Sequence, residues 1–229
     1  KYAVDFTKAK GHPGRVDKNA TVDVILSESD ATGTVSIIVN GTEYSAELVD
    51  GAAVIYAPLL PAGTYNFDVI YSGDDKYENN SAPITFNVNK YYPTMKATAA
   101  SVRVDENANV NVVLPDDATG TVTITVDGVD YTADVVDGTA TVELPVISEA
   151  GPQKFNVQYS GDDKYRPQNT NVEFNVLKYT AKIKATARTV KLGNNVTVNV
   201  VLPEDATGEV SITINDTTYS GVAENGGWL

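Results

Sequence analysis

The heptapeptide YSGDDKY occurs twice in the chain, at Tyr71–Tyr77 and again at Tyr159–Tyr165. The two copies lie 88 residues apart, and the segments around them repeat at nearly the same period. A period of this length lets each unit bury a core of its own, unlike the units of about 20–50 residues that build solenoids. The sequence therefore predicts a tandem array of small domains.

Three equivalent starts, each a Lys-Tyr pair, divide the 229 residues into units. We expect repeat 1 at residues 1–89, repeat 2 at residues 90–177 and a partial repeat 3 at residues 178–229. Repeat 3 is expected to end before its last three strands, which would leave its apolar faces without a second sheet. Either the chain is cut within a domain or another chain completes it. The start at Lys1, without a signal-like segment, suggests a piece of a longer protein.

Alternating polar and apolar residues predict strands that are buried on one face only. In repeat 1 the inward positions of two such strands are Val22, Val24, Leu26 and Val35, Ile37, Val39. Asn40-Gly41 and Asp127-Gly128 stand between alternating runs and predict tight hairpins. With turn signals every 8–12 residues, the pattern predicts an all-β fold of tandem immunoglobulin-like antiparallel β-sandwiches with seven strands per full repeat.

A tyrosine in the turn before the sixth strand supports this fold. Tyr65 follows Leu60-Pro61-Ala62-Gly63-Thr64, as expected for a tyrosine corner, in which the hydroxyl bonds to nearby backbone. Repeat 2 has Gln153 at this position, and we expect the corner to be lost there.

Three motifs together resemble a known family: YSGDDKY after an F-x-V strand, the D-A-T-G-x-V turn and strand, and the N-G-x-x-Y hairpin. They resemble bacterial Ig-like repeats of group 3, which occur in tandem in large cell-surface proteins, and are most similar to adhesin-like proteins of methanogenic archaea. The resemblance implies an extracellular stalk or adhesion module without enzymatic activity. It implies no ligand-binding residue.

The composition restricts the partners of this chain. Acidic residues outnumber basic ones 30 to 17, and the formal net charge of −13 disfavours nucleic acid and anionic lipid. No apolar run approaches the roughly 18–20 residues that span a bilayer, so we expect no membrane insertion by this part. The expected partners are surface proteins or glycans of a host or partner cell, with self-association through the partial repeat 3 as an alternative.

We expect no catalytic residue, no cofactor and no metal. The one histidine, His12, has no recognisable partner for catalysis or metal binding. Paired carboxylates recur at matching positions in both full units, which is typical of a scaffold. A weaker alternative places Ca²⁺ at Asp116, Asp162 and Asp163, near the linker Lys90–Pro93. The opposing interpretation makes these residues turn formers neutralised by lysines.

Two further groups of residues bear on surface function. Five N-x-S/T sequons mark candidate glycosylation sites, at Asn19, Asn40, Asn79, Asn195 and Asn215. Four tyrosines near the unit boundaries are expected to pack one domain on the next, with glycan stacking as the alternative: Tyr2, Tyr91, Tyr92 and Tyr179. The function hypotheses are therefore an adhesin stalk, a glycan-binding module, or a filament subunit completed by strand exchange.

Overall fold

The structure is a computed structural model that describes residues 1–223 and 226–228. Every regular element within these residues is a β-strand, and the neighbouring sheets face each other in pairs. This confirms the predicted all-β fold of tandem immunoglobulin-like sandwiches. The described residues include no helix that could cross a membrane.

Repeat 1 forms two facing sheets. One has the strand order β1-β3-β6 and the other β2-β8-β7-β4-β5, with all neighbours antiparallel except β2 and β8. The strands are β1 (Phe6–His12), β2 (Gly14–Arg15), β3 (Thr21–Leu26), β4 (Thr34–Val39), β5 (Thr42–Glu47), β6 (Ala52–Tyr56), β7 (Gly63–Tyr71) and β8 (Asn80–Asn89).

The predicted first strand is divided between the two sheets. Pro13 lies between β1 and β2, and because proline has no N–H it cannot continue the ladder with β3. The chain crosses at this point to pair with the end of β8. Seven strand positions therefore hold eight strands.

Repeat 2 has the same sheet orders, β14-β11-β9 and β10-β16-β15-β12-β13. Its strands are β9 (Lys96–Ala99), β10 (Val102–Arg103), β11 (Asn107–Val113), β12 (Thr121–Val126), β13 (Val129–Asp134), β14 (Thr139–Val146), β15 (Gly151–Tyr159) and β16 (Gln168–Leu177). Each full repeat has its own cluster of buried side chains, and the alternating residues predicted to face inward are buried in both.

The tyrosine corner survives in altered form in repeat 2. In repeat 1 the Tyr65 hydroxyl donates to the Pro61 carbonyl oxygen at 2.9 Å, as predicted. In repeat 2 the Gln153 side-chain amide donates to the Glu149 carbonyl oxygen at 3.1 Å. The expected loss of the corner was wrong, because a glutamine amide reaches the carbonyl four residues earlier just as the phenol does.

Repeat 3 also departs from expectation. Its strands are β17 (Lys184–Ala187), β18 (Val198–Val201), β19 (Gly208–Ile214), β20 (Thr217–Ala223) and β21 (Gly227–Trp228). They form the sheets β17-β18-β21 and β19-β20. The expectation that no second sheet would face β19 was wrong, since Val200, Val210 and Ala223 form a small buried cluster. The backbone N–H of Leu202 bonds Gly226, as Leu26 bonds Gly51, and this returns the chain to pair with β18.

Candidate functional site at the junction between repeats

The YSGDDKY loops connect β7 to β8 and β15 to β16, and one aspartate organises each of them. In repeat 1, Asp74 Oδ1 accepts from the backbone N–H groups of Lys76 at 2.8 Å and Tyr77 at 2.7 Å. Its Oδ2 accepts from the backbone N–H of Thr32 at 2.8 Å. A short carboxylate side chain suits this local capping of backbone donors.

Asp162 does the same in repeat 2. Its Oδ1 accepts from the N–H groups of Lys164 and Tyr165, and its Oδ2 from that of Thr119. The Tyr159 hydroxyl adds a further bond to Oδ2 at 3.0 Å. Burial by itself would raise the pKa of this carboxyl, but the N–H donors outweigh that effect and lower it.

The glycine of the motif is required by space as well as by backbone angle. Gly161 has φ of 74°, and a Cβ atom there would lie 2.7 Å from the backbone nitrogen of Pro167. Gly73 in repeat 1 has the same conformation and equally close backbone neighbours. Only glycine fits this position without displacing the loop.

The last two residues of the motif tie each loop to the D-A-T-G turn. Lys164 Nζ lies 2.6 Å from Asp117 Oδ2, and the Tyr165 hydroxyl donates to Asp117 Oδ1 at 2.7 Å. Lys76 and Tyr77 make the same pair of contacts with Asp30. The two motifs recur together because they form one hydrogen-bonded pole of the sandwich.

These contacts bear on the Ca²⁺ alternative. Both carboxylate oxygens of Asp162 already accept hydrogen bonds, and Asp116 and Asp163 are exposed. Across residues 1–223 and 226–228, no group of three acidic or histidine side chains is placed to hold a metal ion. Lys164 Nζ forms an ion pair with Asp117, the residue after Asp116. Lys90 Nζ instead donates to the backbone carbonyl of Asp162.

Tyr91 joins repeat 1 to repeat 2 at this pole. Its hydroxyl donates to Asp17 Oδ1 at 2.7 Å, and the Arg15 guanidinium lies over its ring at 4.8 Å. Arg15 also donates to the Lys90 carbonyl oxygen at 3.1 Å. The loop after β2 thus holds the linker by one hydrogen bond to the tyrosine and one to the backbone.

The YSGDDKY loop of repeat 2 completes the contact from the other side. The backbone of Tyr91 bonds both Lys164 and Arg166, and its ring packs on Tyr165 with centroids 6.4 Å apart. Lys164 Nζ lies 3.6 Å from Asp17 Oδ2 while it also binds Asp117. Hydrogen bonding from Tyr91 lowers the pKa of Asp17, and the positive charge of Lys164 adds to the effect.

Tyr92 and Arg166 form a second contact at the junction. The Arg166 guanidinium lies 4.8 Å from the centre of the Tyr92 ring and donates to its hydroxyl at 3.2 Å. Arg166 also reaches Asn89 at the end of β8, at 3.4 Å. Its contacts therefore connect repeat 2 with the last residue of repeat 1.

The second junction has only part of this arrangement. The Tyr179 hydroxyl donates to Asp105 at 2.8 Å, and Arg103 lies over its ring at 4.7 Å. Among residues 1–223 and 226–228, no lysine contacts Asp105 in the way that Lys164 contacts Asp17 at the first junction. The Arg-x-Asp signal at Arg15–Asp17 and Arg103–Asp105 stands in the sequence, but its partner 74 residues away is not visible there.

The remaining candidates lie at the surface. All five sequon asparagines are exposed, and Asn19 uses its side-chain amide to bond the Ala57 carbonyl oxygen. His12 ends β1 with Nε2 2.9 Å from Asp23 Oδ2, a carboxylate that Lys8 also binds. Lys8, His12 and Asp23 lie on two neighbouring strands of one sheet, β1 and β3.

One family model matches part of this chain. Residues 7–89 match the family model described as bacterial Ig-like domain (group 3). No curated protein matches the sequence.

Three solved structures illustrate what the chain is similar to. One is a Ca²⁺-stabilised adhesin that helps an Antarctic bacterium bind ice, at 17% identity over 99% of this chain and 64% of that one, with a TM-score of 0.40. A 1.5-MDa bacterial ice-binding adhesin matches at 17% over 100% and 86%, with a TM-score of 0.36. The titin domains Z1Z2 in complex with telethonin match at 15% over 79% and 99%, with a TM-score of 0.44. The chain therefore spans less than two thirds of the first of these.

Proposed function

We propose that this chain is a non-enzymatic module of a cell-surface adhesin, a stalk of Ig-like repeats whose junctions restrict bending. The junction at Tyr91 carries the proposal, because Arg15, Asp17 and Lys164 hold one linker tyrosine from both sides. The match of residues 7–89 to a bacterial Ig-like domain supports an extracellular, cell-surface location. The likeness to adhesins of methanogenic archaea stays a prediction from the sequence.

In this proposal residues 1–89, 90–177 and 178–229 are successive units, each with its own core. The separate clusters of buried side chains support the division. Residue 229, where the last unit ends, lies outside the described residues. The proposed partners of the adhesin are a surface protein or a glycan of a host or partner cell.

The module would hold its shape without a resident metal. Hydrogen bonds from backbone N–H groups to Asp74 and Asp162, and lysine contacts to Asp30 and Asp117, would hold the pole together. The five exposed sequon asparagines are proposed glycan carriers, which would suit a surface protein.

The stiffness of the first junction tests the proposal directly. The chain has no cysteine, so Ser45→Cys and Thr132→Cys give two clean spin-label sites on equivalent exposed strands of repeats 1 and 2. Electron–electron double resonance should give one narrow distance peak for the full chain. Tyr91→Ala and Asp17→Ala should lose that peak, whereas Asp68→Ala, an exposed acid in the middle of β7, should keep it. A broad distribution in the unsubstituted chain would reject a bend-resistant stalk.

A specific observation keeps the filament alternative in view. Strand β19 pairs only with β20 among the described residues, whereas β4 and β12 each have two neighbours. Its free edge could accept a strand from another chain. Concentration-dependent dimers in analytical ultracentrifugation would favour this function over the stalk.

A further inference from the structure

The N-terminal pole of repeat 1 repeats the surface that meets the Arg-x-Asp loop at the first junction. Tyr2 pairs with Tyr77 as Tyr91 pairs with Tyr165. The backbone N–H of Tyr2 donates to Lys76 at 2.8 Å, and its carbonyl oxygen accepts from Glu78 at 2.9 Å. The backbone of Tyr2 is therefore fixed to the loop, yet the residue is 69% exposed.

The lysine of this pole, Lys76, is placed in the same way as Lys164 at the first junction. Lys76 Nζ lies 2.6 Å from Asp30, as Lys164 Nζ does from Asp117. The Lys164 side chain is 35% exposed because it also reaches Asp17 of the preceding repeat, whereas that of Lys76 is 52% exposed. Among the described residues, neither the Tyr2 hydroxyl nor Lys76 has a carboxylate partner that matches Asp17, which contacts both Tyr91 and Lys164.

We propose that this pole, defined by Tyr2 and Lys76, binds the Arg-x-Asp loop of another Ig-like repeat placed before it. The arginine would stack on Tyr2, and the carboxylate two residues later would accept from the Tyr2 hydroxyl and from Lys76. The inference rests on the proposed function as a stalk. It gives a pairing rule for the array: the Arg-x-Asp loop of one repeat binds the tyrosine and lysine at the N-terminal pole of the next repeat.

The pairing rule predicts that only loops with an Arg-x-Asp sequence bind the tyrosine of the next repeat. Arg15–Asp17 and Arg103–Asp105 each hold the tyrosine of the next unit. Repeat 3 has Lys191, Leu192 and Gly193 in the equivalent loop, which offers no carboxylate to a tyrosine hydroxyl. Charge supports the pairing as well, since a carboxylate that approaches Lys76 meets a positive group in a chain of net charge −13.

The test adds a competent loop in front of the complete chain. A second copy of residues 90–177 is fused directly before Lys1, so that Leu177 is followed by Lys-Tyr as in the natural chain. Spin labels at Thr132→Cys in the added copy and Ser45→Cys in repeat 1 report the new junction. A narrow distance peak is expected, similar in width to that of the same pair of sites across the natural first junction.

Variants of the fusion identify the contacts. Asp105→Ala in the added copy and Tyr2→Phe in repeat 1 should each lose the narrow peak, because both remove the tyrosine–carboxylate bond. Asp134→Ala in the added copy, an exposed acid at the opposite end of that repeat, should keep it. Thermal melting of each variant shows that the repeats remain folded.

Two results would overturn the inference: a broad distribution in the unsubstituted fusion, or a narrow peak that survives both Asp105→Ala and Tyr2→Phe. The natural junction, measured separately with Ser45→Cys and Thr132→Cys, reports on the proposed function. A narrow distance distribution across the natural junction together with a broad one across the new junction would reject the pairing rule and still support the proposed function as a stalk.

Discussion

Single side chains at the pole of each sandwich serve several partners at once. Asp74 accepts hydrogen bonds from three backbone N–H groups. Asp30 accepts hydrogen bonds from the Lys76 ammonium group and the Tyr77 hydroxyl. Such carboxylates are stabilised in their charged form, so their pKa values lie below the usual range. The charge state of the pole therefore influences the stability of the fold.

Acid should weaken the pole. The N–H groups of Thr32 and Tyr77 lower the pKa of Asp74 in the folded state. The ionised carboxylate therefore stabilises the folded state above about pH 4, and this stabilisation is lost as the pH falls further. Asp74→Asn should lower the melting temperature at pH 7 and reduce its dependence on acid, because an amide NH₂ cannot accept from Thr32. Asp75→Asn, at the exposed neighbouring position, is the matched control in calorimetry from pH 2 to 7.

Alkali should act through a buried tyrosine. Burial raises the pKa of Tyr71 to about 12. The neutral phenol therefore stabilises the folded state below about pH 10, and this stabilisation is lost as the pH rises towards 12. Tyr71→Phe should cost about 1 kcal/mol at neutral pH, because the hydrogen bond to the Thr32 carbonyl is lost. It should also flatten the alkaline decline in stability between pH 9 and 12. Tyr56→Phe, at an exposed position, should change neither.

At the scale of strands, the paired elements β7/β8 and β15/β16 supply both core and pole. Inward residues of β15 alternate with exposed ones from Gly151 to Tyr159, and Phe155 packs against the core while it remains half-buried. Its ring lies 5.9 Å from that of Phe174 on the neighbouring strand. These strands therefore link packing between the sheets to the loop at the junction.

Phe155→Ala tests whether the cores are separate. Because the ring is half-buried, its removal should lower the free energy of unfolding of repeat 2 by about 3 kcal/mol, the low end of the range for phenylalanine to alanine changes. Hydrogen exchange should show the loss in repeat 2 while protection in repeat 1 persists, and Phe67→Ala should give the mirror image. Equal loss in both repeats would show that they unfold as one unit.

Repeat 3 should be the least stable part of the chain. Its buried cluster contains three residues, and β19 has a single described neighbour. Few buried contacts and an open edge predict fast local opening. Amides of Val210–Ile214 should therefore exchange well before those of Val122–Val126 in a dilute sample. Equal protection in a proven monomer would contradict this expectation.

At the scale of the whole molecule, the two junctions differ in kind. At the first, the linker tyrosine is held by the loop of one repeat and by the YSGDDKY loop of the next. At the second, the described residues show the contacts of Tyr179 with Arg103 and Asp105 of the preceding repeat. Within the described residues the linker tyrosine of the first junction therefore has contacts on both sides, whereas Tyr179 at the second has contacts with the preceding repeat.

Calcium should have little influence on this architecture. Since Asp162 is already satisfied by N–H donors, the melting temperature in EDTA and in millimolar Ca²⁺ should agree within error. A rise of many degrees with Ca²⁺ would reveal tight binding to the folded state. Asp116→Asn and Asp163→Asn would then show whether those exposed carboxylates are the ligands.

The sequence by itself determined the tandem all-β architecture. Alternation of apolar residues is a local property, and it identified the buried faces of β3 and β4 without knowledge of their partners. The tight turns at Asn40 and Asp127 likewise follow from neighbouring residues, and both have positive φ. The Lys-Tyr starts indicated where units meet and which tyrosines lie there.

Only the tertiary structure decided what those tyrosines touch. The bond between Tyr91 and Asp17 joins residues 74 positions apart, and it forms because crossing from β1 to β2 brings the next loop beside the end of β8. The same holds for Gln153, whose bond to Glu149 depends on loop geometry. The fold of the loop likewise decides which N–H groups donate to Asp162, because hydrogen-bond partners are set by distance and direction and not by residue type.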